Sequence, residues 1–136
     1  MIMEKKILFG TLGGAIAGTI VSMAIYLGMF GGMAEQWMAE HGACLKEMNQ
    51  TWWFVSAIVQ GLLFAMLLHR MGIQTAKSGA ITGGWIAFLI ALFVGIANAS
   101  TYTAYPWSWL PYDIGANTVI SASASAVIGW IYGKVK

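Results

Sequence analysis

Asp113, Asn117, Ser121 and Ser125 stand four residues apart, so on a helix they form one inclined polar ridge. Asp113 is the only acid in or beside the long apolar segments of this chain. A carboxylate, an amide and two hydroxyls in line can hold an ion or pass a proton across a membrane. The same groups can instead bond neighbouring helices, each contact stabilising by about 0.6–2 kcal/mol. Asp113 also has a local reading, as a cap on the positive end of the helix it opens. Gln60, one turn from Ser56, falls near the middle of a second apolar segment, and Asn98, one turn from Gly95, falls at the end of a third. Lipid offers an amide no hydrogen bond. Gln60 and Asn98 therefore require partners inside the protein, either across a helix interface or in a polar cavity shared with Asp113 and Asn117.

Other reactive residues are sparse. Glu40, His41 and Cys44 form an E-H-x-x-C run with no complementary cluster elsewhere, so no metal site is expected. His69 has no second histidine at its depth and reads as a headgroup contact beside Arg70. The single cysteine, Cys44, cannot form an intramolecular disulfide. There is no HExxH, no CxxC, no glycine loop followed by lysine, and no nucleophile–base pair that the topology brings to one depth. The expectation is a non-enzymatic protein with no cofactor and no nucleic-acid partner.

The elements that must position these residues are set by hydropathy. Of the residues 59% are hydrophobic and 9% charged, against about 25% charged in a soluble domain. Apolar windows at 7–30, 52–68, 80–99 and 112–132 each approach the roughly 20 residues that cross a bilayer as a helix. The expected fold is one all-α integral membrane domain over 1–136, a four-transmembrane-helix antiparallel bundle. With four spans, Lys5, Lys6, Arg70, Lys77, Lys134 and Lys136 share one side and Lys46 stands alone on the other. The positive-inside rule then makes both termini cytoplasmic, in a bacterial or archaeal cytoplasmic membrane. Ser22-Met23-Ala24 has the form of a signal-peptidase site, but the apolar run continues to Phe30, so the segment is read as a retained span. Gly31-Gly32 is expected to end the first helix. An amphipathic surface helix is expected over 33–48, from the helical spacing of Met33, Trp37 and the Met38, Leu45, Met48 group. Trp52, Trp53, Trp107 and Trp109 mark the outer interface and Trp130 the inner one.

Within the spans, small residues recur every fourth position. Gly10, Gly14, Gly18 and Ser22 form one ladder. Gly79, Gly83, Ala87, Ala91, Gly95 and Ala99 form a second, and Gly129 and Gly133 continue the ridge of Ser121 and Ser125. Such ladders let helix backbones approach closely in lipid. Each rung also drifts about 40° on a helix of 3.6 residues per turn, so one ladder is expected to meet different neighbours at its two ends. A chain this short is not expected to bury all three. The leading functional expectation is therefore an accessory or scaffold subunit, associating through a glycine face as a homo-oligomer or within a larger membrane complex. The alternatives are a small channel or carrier using Asp113, Asn117 and Ser121, and a lipid or hydrophobic-cofactor binder using the aromatic rim.

The chain resembles the small four-span bacterial membrane proteins known as a domain of unknown function, the DUF1761-like type. The resemblance rests on Gly13-Gly14 leading to Tyr26-Leu27-Gly28, on Leu67-Leu68-His69-Arg70, on Gly79, Gly83 and Gly84 followed by Phe88, and on Asp113 with the closing run Ile128 to Lys134. The aromatic Tyr102–Trp109 loop and the long acidic first loop depart from that pattern. The resemblance implies the four-span fold and carries no activity.

Overall fold

The computed structural model describes the backbone of residues 2–44 and 49–135, and the side chains of 5–43 and 49–135. The chain is all-helical, with α1 (Ile2–Ile25), a π turn (Tyr26–Phe30), α2 (Gly31–His41), α3 (Gln50–Arg70), α4 (Ala76–Thr101) and α5 (Leu110–Lys134). Four helical runs are long and apolar enough to cross a membrane.

The first run departs from the sequence expectation. Gly31 keeps right-handed helical angles, φ −50° and ψ −51°, so Gly31-Gly32 does not stop the helix. Glycine ends a helix by adopting a left-handed conformation, which neither its sequence nor its surroundings require here. The helix passes instead through the π turn, which takes up an extra residue, and on into α2. Lys5–His41 is then a 37-residue run. At 1.5 Å per residue it is about 55 Å long, against a hydrocarbon core of about 30 Å. Its last turns must emerge from the bilayer, and α2 buries no residue. The part of the expected surface helix formed by Leu45, Lys46, Glu47 and Met48 lies outside the described residues.

The other ends follow local chemistry. The Asn49 side chain accepts from the Thr51 and Trp52 amides and caps α3. Gly72, at φ +69°, terminates α3. The Gly72 amide donates to the His69 carbonyl and the Ile73 amide to the Leu68 carbonyl, a Schellman motif whose apolar clasp is Ile73 on the core around Leu68. The Thr75 hydroxyl accepts from the Ser78 amide at 3.1 Å and caps α4. Pro111 occupies the first turn of α5, where its missing N–H costs nothing.

The small-residue ladders are the packing surfaces between these helices. Gly10, Gly14 and Gly18 of α1 face Tyr132, Ile128 and Ala124 of α5. Gly61 of α3 lies on the backbone of Thr11 and Ala15. Gly79 and Gly129 stand directly against each other, Gly83 lies under Ser125, and Gly95 meets Leu110. Gly133 abuts the Gln74 carbonyl. The α4 ladder was expected to change neighbours along its length, yet its glycine rungs Gly79, Gly83 and Gly95 all meet α5. The buried stripe runs Gly79, Gly83, Gly84, Ala87, Ala91, Gly95. Gly84, one residue past Gly83, widens the stripe toward Ala122 of α5.

Helix order across the molecule is therefore α3, α1, α5, α4. The large-residue core is small: Phe64, Ala65, Leu68, Ala87, Ile128 and Tyr132. Ile16, Ile20, Leu89 and Phe93 are among the many large apolar side chains left more than half exposed. A water-soluble monomer rarely carries that much exposed apolar surface, and it suits the lipid-facing side of a membrane protein.

Candidate functional site

Helices α1, α3 and α5 are drawn together at the end that carries Lys6 and Gln74. Tyr132, 2% exposed, donates its hydroxyl to the Ala65 carbonyl at 2.7 Å. Lys6 donates to the Tyr132 carbonyl at 3.4 Å. The His69 ring packs edge-on against Tyr132 at 5.6 Å, so it faces the bundle, not only the headgroups.

Away from this closed end the three helices part. Between them lies a cleft of about 140 Å³ whose polar lining comes from every wall: Thr19 and Ser22 of α1, Ser56 and Gln60 of α3, Asn117 and Ser121 of α5. The cleft ends on Phe64, and Ala65, Leu68, Ile128 and Tyr132 fill the width beyond it. All six polar side chains are uncharged. They supply hydroxyl and amide donors and acceptors, which bind neutral polar groups or water and give no counter-charge to a bare ion.

Two larger and more apolar cavities adjoin the cleft. One, of about 320 Å³, is walled by Tyr26, Phe30, Trp37, Tyr105, Trp109 and Tyr112, with Asp113 and Asn117. The other, of about 480 Å³, lies between Met23, Tyr26 and Leu27 of α1 and Trp53 and Phe54 of α3. Ser22 lines all three spaces, Asn117 joins the cleft to the first cavity, and Trp53 joins it to the second.

Asp113 does not cap α5. The helix starts at Leu110, earlier than the hydropathy window suggested, so Asp113 is already in its fourth position and no side chain caps the start. Its carboxylate is held by two neutral donors. The Tyr105 hydroxyl reaches one oxygen at 2.7 Å, and the Asn117 amide reaches the other at 2.9 Å. Burial first, and then the adjacent Asp113 carboxylate, push the Tyr105 phenol well above its ordinary pKa, so Tyr105 stays a donor. The wall above is α2, which is fastened by Trp37. Its indole N–H donates to the Ala104 carbonyl at 2.7 Å, and its ring packs on Trp109 at 6.0 Å and on His41 at 5.1 Å.

The residues anticipated from sequence thus divide. Gln60, Asn117 and Ser121 meet in the cleft, and Asp113 lies beside it. Ser125 has turned away, because three steps of four residues rotate the ridge by about 120°. It is fully buried against Gly83, with no partner for its hydroxyl among the described residues. Asn98 lies at the far end of α4, where its carbonyl accepts from the Tyr102 amide, and it does not line the cleft. Of the interface tryptophans, Trp52, Trp107 and Trp130 are strongly exposed, whereas Trp53 lines the cleft and Trp109 packs on Trp37. Thr19 and the Tyr105–Asp113 bond had no signal of their own in the sequence. Glu40 and His41 lie near Thr103 and Pro106, and the Cys44 side chain lies outside the described residues. Among the described residues no three metal-ligating side chains converge.

Comparison with protein-family models, with curated proteins and with solved structures gave no match. None of these comparisons supports the resemblance to the four-span family.

Proposed function

We propose that this chain is a non-enzymatic membrane protein that binds a small amphiphile in a dead-ended cleft. In this reading it is an antiparallel four-span bundle of a bacterial or archaeal cytoplasmic membrane, with both termini cytoplasmic. The facing pairs Gly10–Tyr132, Gly14–Ile128 and Gly18–Ala124 support opposed directions for α1 and α5, and the lysine distribution supports the orientation. The cleft then faces the outer half of the bilayer.

The observation that carries the proposal is the meeting of three spaces at Ser22: a polar cleft flanked by two apolar cavities. Uncharged polar groups at membrane depth need a hydrogen-bonding partner. An amphiphile supplies one through its polar group and fills the flanking cavities with its apolar part. A conducting path is disfavoured by the packing of Phe64, Leu68, Ile128 and Tyr132 beyond the cleft. A scaffold acting through a glycine face loses its motive, because Gly10, Gly14, Gly18, Gly79, Gly83, Gly129 and Gly133 have neighbours within the chain.

Native mass spectrometry from a mild detergent tests the reading. The wild-type protein is expected to retain a lipid-sized adduct, and Ser22→Trp, which fills the junction, to lose it. A bare wild-type mass, or equal retention by a folded Ser22→Trp variant, would contradict it.

A further inference from the structure

We infer that the aromatic cavity beside Asp113 is a binding site for an ammonium group, the cationic end of a choline-like or amine-bearing ligand. The inference rests on the proposed binding role and names the chemistry of the ligand's head.

Three observations converge on it. The walls of the cavity are rings in two perpendicular or tilted pairs, Phe30 with Tyr112 at 6.2 Å and Trp37 with Trp109 at 6.0 Å. Aromatic faces attract a cation through their quadrupole, and quaternary ammonium is the cation that such cages select, because it is large and weakly hydrated. The floor is the Asp113 carboxylate, whose two oxygens accept from Tyr105 and Asn117. Both donors are neutral, so among the described residues the full negative charge is oriented without being neutralised. The cavity, about 320 Å³, shares the lining residues Asn117 and Ser22 with the polar cleft, whose hydroxyls and amides suit hydroxyl, ester or amide groups attached to the ammonium.

One term opposes this arrangement. The start of α5 presents roughly half a positive charge close to Asp113. A whole carboxylate charge in the first turns outweighs that half charge, and the sum at the cavity floor remains negative. A carboxylate or phosphate ligand would meet that residual charge, which sets the sign of the preference. The nearby His41 ring stacks on Trp37 outside the aromatic wall.

The test is isothermal titration of the intact protein in a non-ionic detergent with choline, and with its uncharged isostere in which carbon replaces nitrogen. Wild type is expected to bind choline at least about tenfold more tightly than the isostere, as cation–π and charge attraction in a partly desolvated site require. Asp113→Asn keeps the shape and an acceptor for Tyr105 and is expected to reduce that preference severalfold, with its thermal unfolding close to wild type. Trp37→Leu is the second variant, expected to weaken choline and spare the isostere. Equal binding of choline and isostere by wild type, no binding of either, or an unchanged preference in Asp113→Asn would each overturn the inference. Repeating the titration in vesicles separates the sources. Weaker apparent choline affinity in phosphatidylcholine than in an uncharged glycolipid supports a lipid headgroup as occupant, and equal affinity supports a free solute. Retention of a neutral lipid by wild type together with no choline preference would overturn this inference and leave the broader binding role standing.

Discussion

Replacing Gly79 by alanine probes how the bundle is held. A Cβ there would drive into the Ser125 carbonyl and lie 3.4 Å from the Gly129 Cα. Those atoms are backbone, so no rotamer change can make room, and α4 and α5 must separate locally. A gap of about 0.5–1 Å forfeits a quarter to a half of each dispersion contact it opens. Overpacking of this kind costs about 1–3 kcal/mol. Alanine's better helix propensity returns at most about 1 kcal/mol. With that return in full, the net expectation is a loss of up to about 2 kcal/mol for Gly79→Ala. Gly18 is the matched control. A Cβ there sits 3.5 Å from the Ala124 Cβ, in ordinary van der Waals contact, so Gly18→Ala is expected to be neutral or slightly stabilising. Unfolding both variants by denaturing detergent, with helicity and size measured together, gives the comparison. Equal stability of the two, or a loss for Gly79→Ala that appears only as a change in oligomer size, would refute internal packing as the use of the ladder.

Two further expectations follow from single contacts. Tyr132→Phe removes the hydroxyl bond to Ala65 and leaves the ring, so it should cost about 0.6–1.7 kcal/mol in the same unfolding assay; no loss would mean the bond does not help close the basic end. The raised pKa of Tyr105 has a defined sign: its stabilising effect is complete below the ordinary tyrosine value of 10.0 and is lost as pH rises beyond it. Alkaline thermal unfolding should therefore fall more steeply in wild type than in Tyr105→Phe, and parallel curves would contradict the burial of that phenol.

The sequence carried the helices because their cause is local and additive: long apolar runs of spanning length. It carried Gln60 and Asn117 as candidate partners in a polar cavity, since an amide at membrane depth must be satisfied, although the Asn98 of that expected cavity lies elsewhere. It misled where the outcome depends on helix phase. Ser125 follows Ser121 by one turn, yet the drift of the ridge takes it to Gly83 and out of the cleft. Asp113 looked like a cap, but α5 begins at Leu110 with Pro111 in its first turn, which leaves Asp113 in the fourth position. The Gly31-Gly32 pair looked like a stop, and a π turn at Tyr26–Phe30 carried the helix through it. Tyr105, Trp37 and Thr19 entered the site through tertiary packing, which leaves no periodic mark in one chain.

The most direct test of the amphiphile-binding claim is photo-crosslinking in native-like bilayers with a diazirine-bearing fatty alcohol, followed by peptide mapping. Adducts are expected to concentrate on Ser22, Trp53 and Gln60, which line the cleft, and to exceed those on Leu89 and Phe93 of the exposed α4 face. Labelling that follows lipid exposure alone, heaviest on Leu89 and Phe93 and no greater in the cleft, would contradict the account.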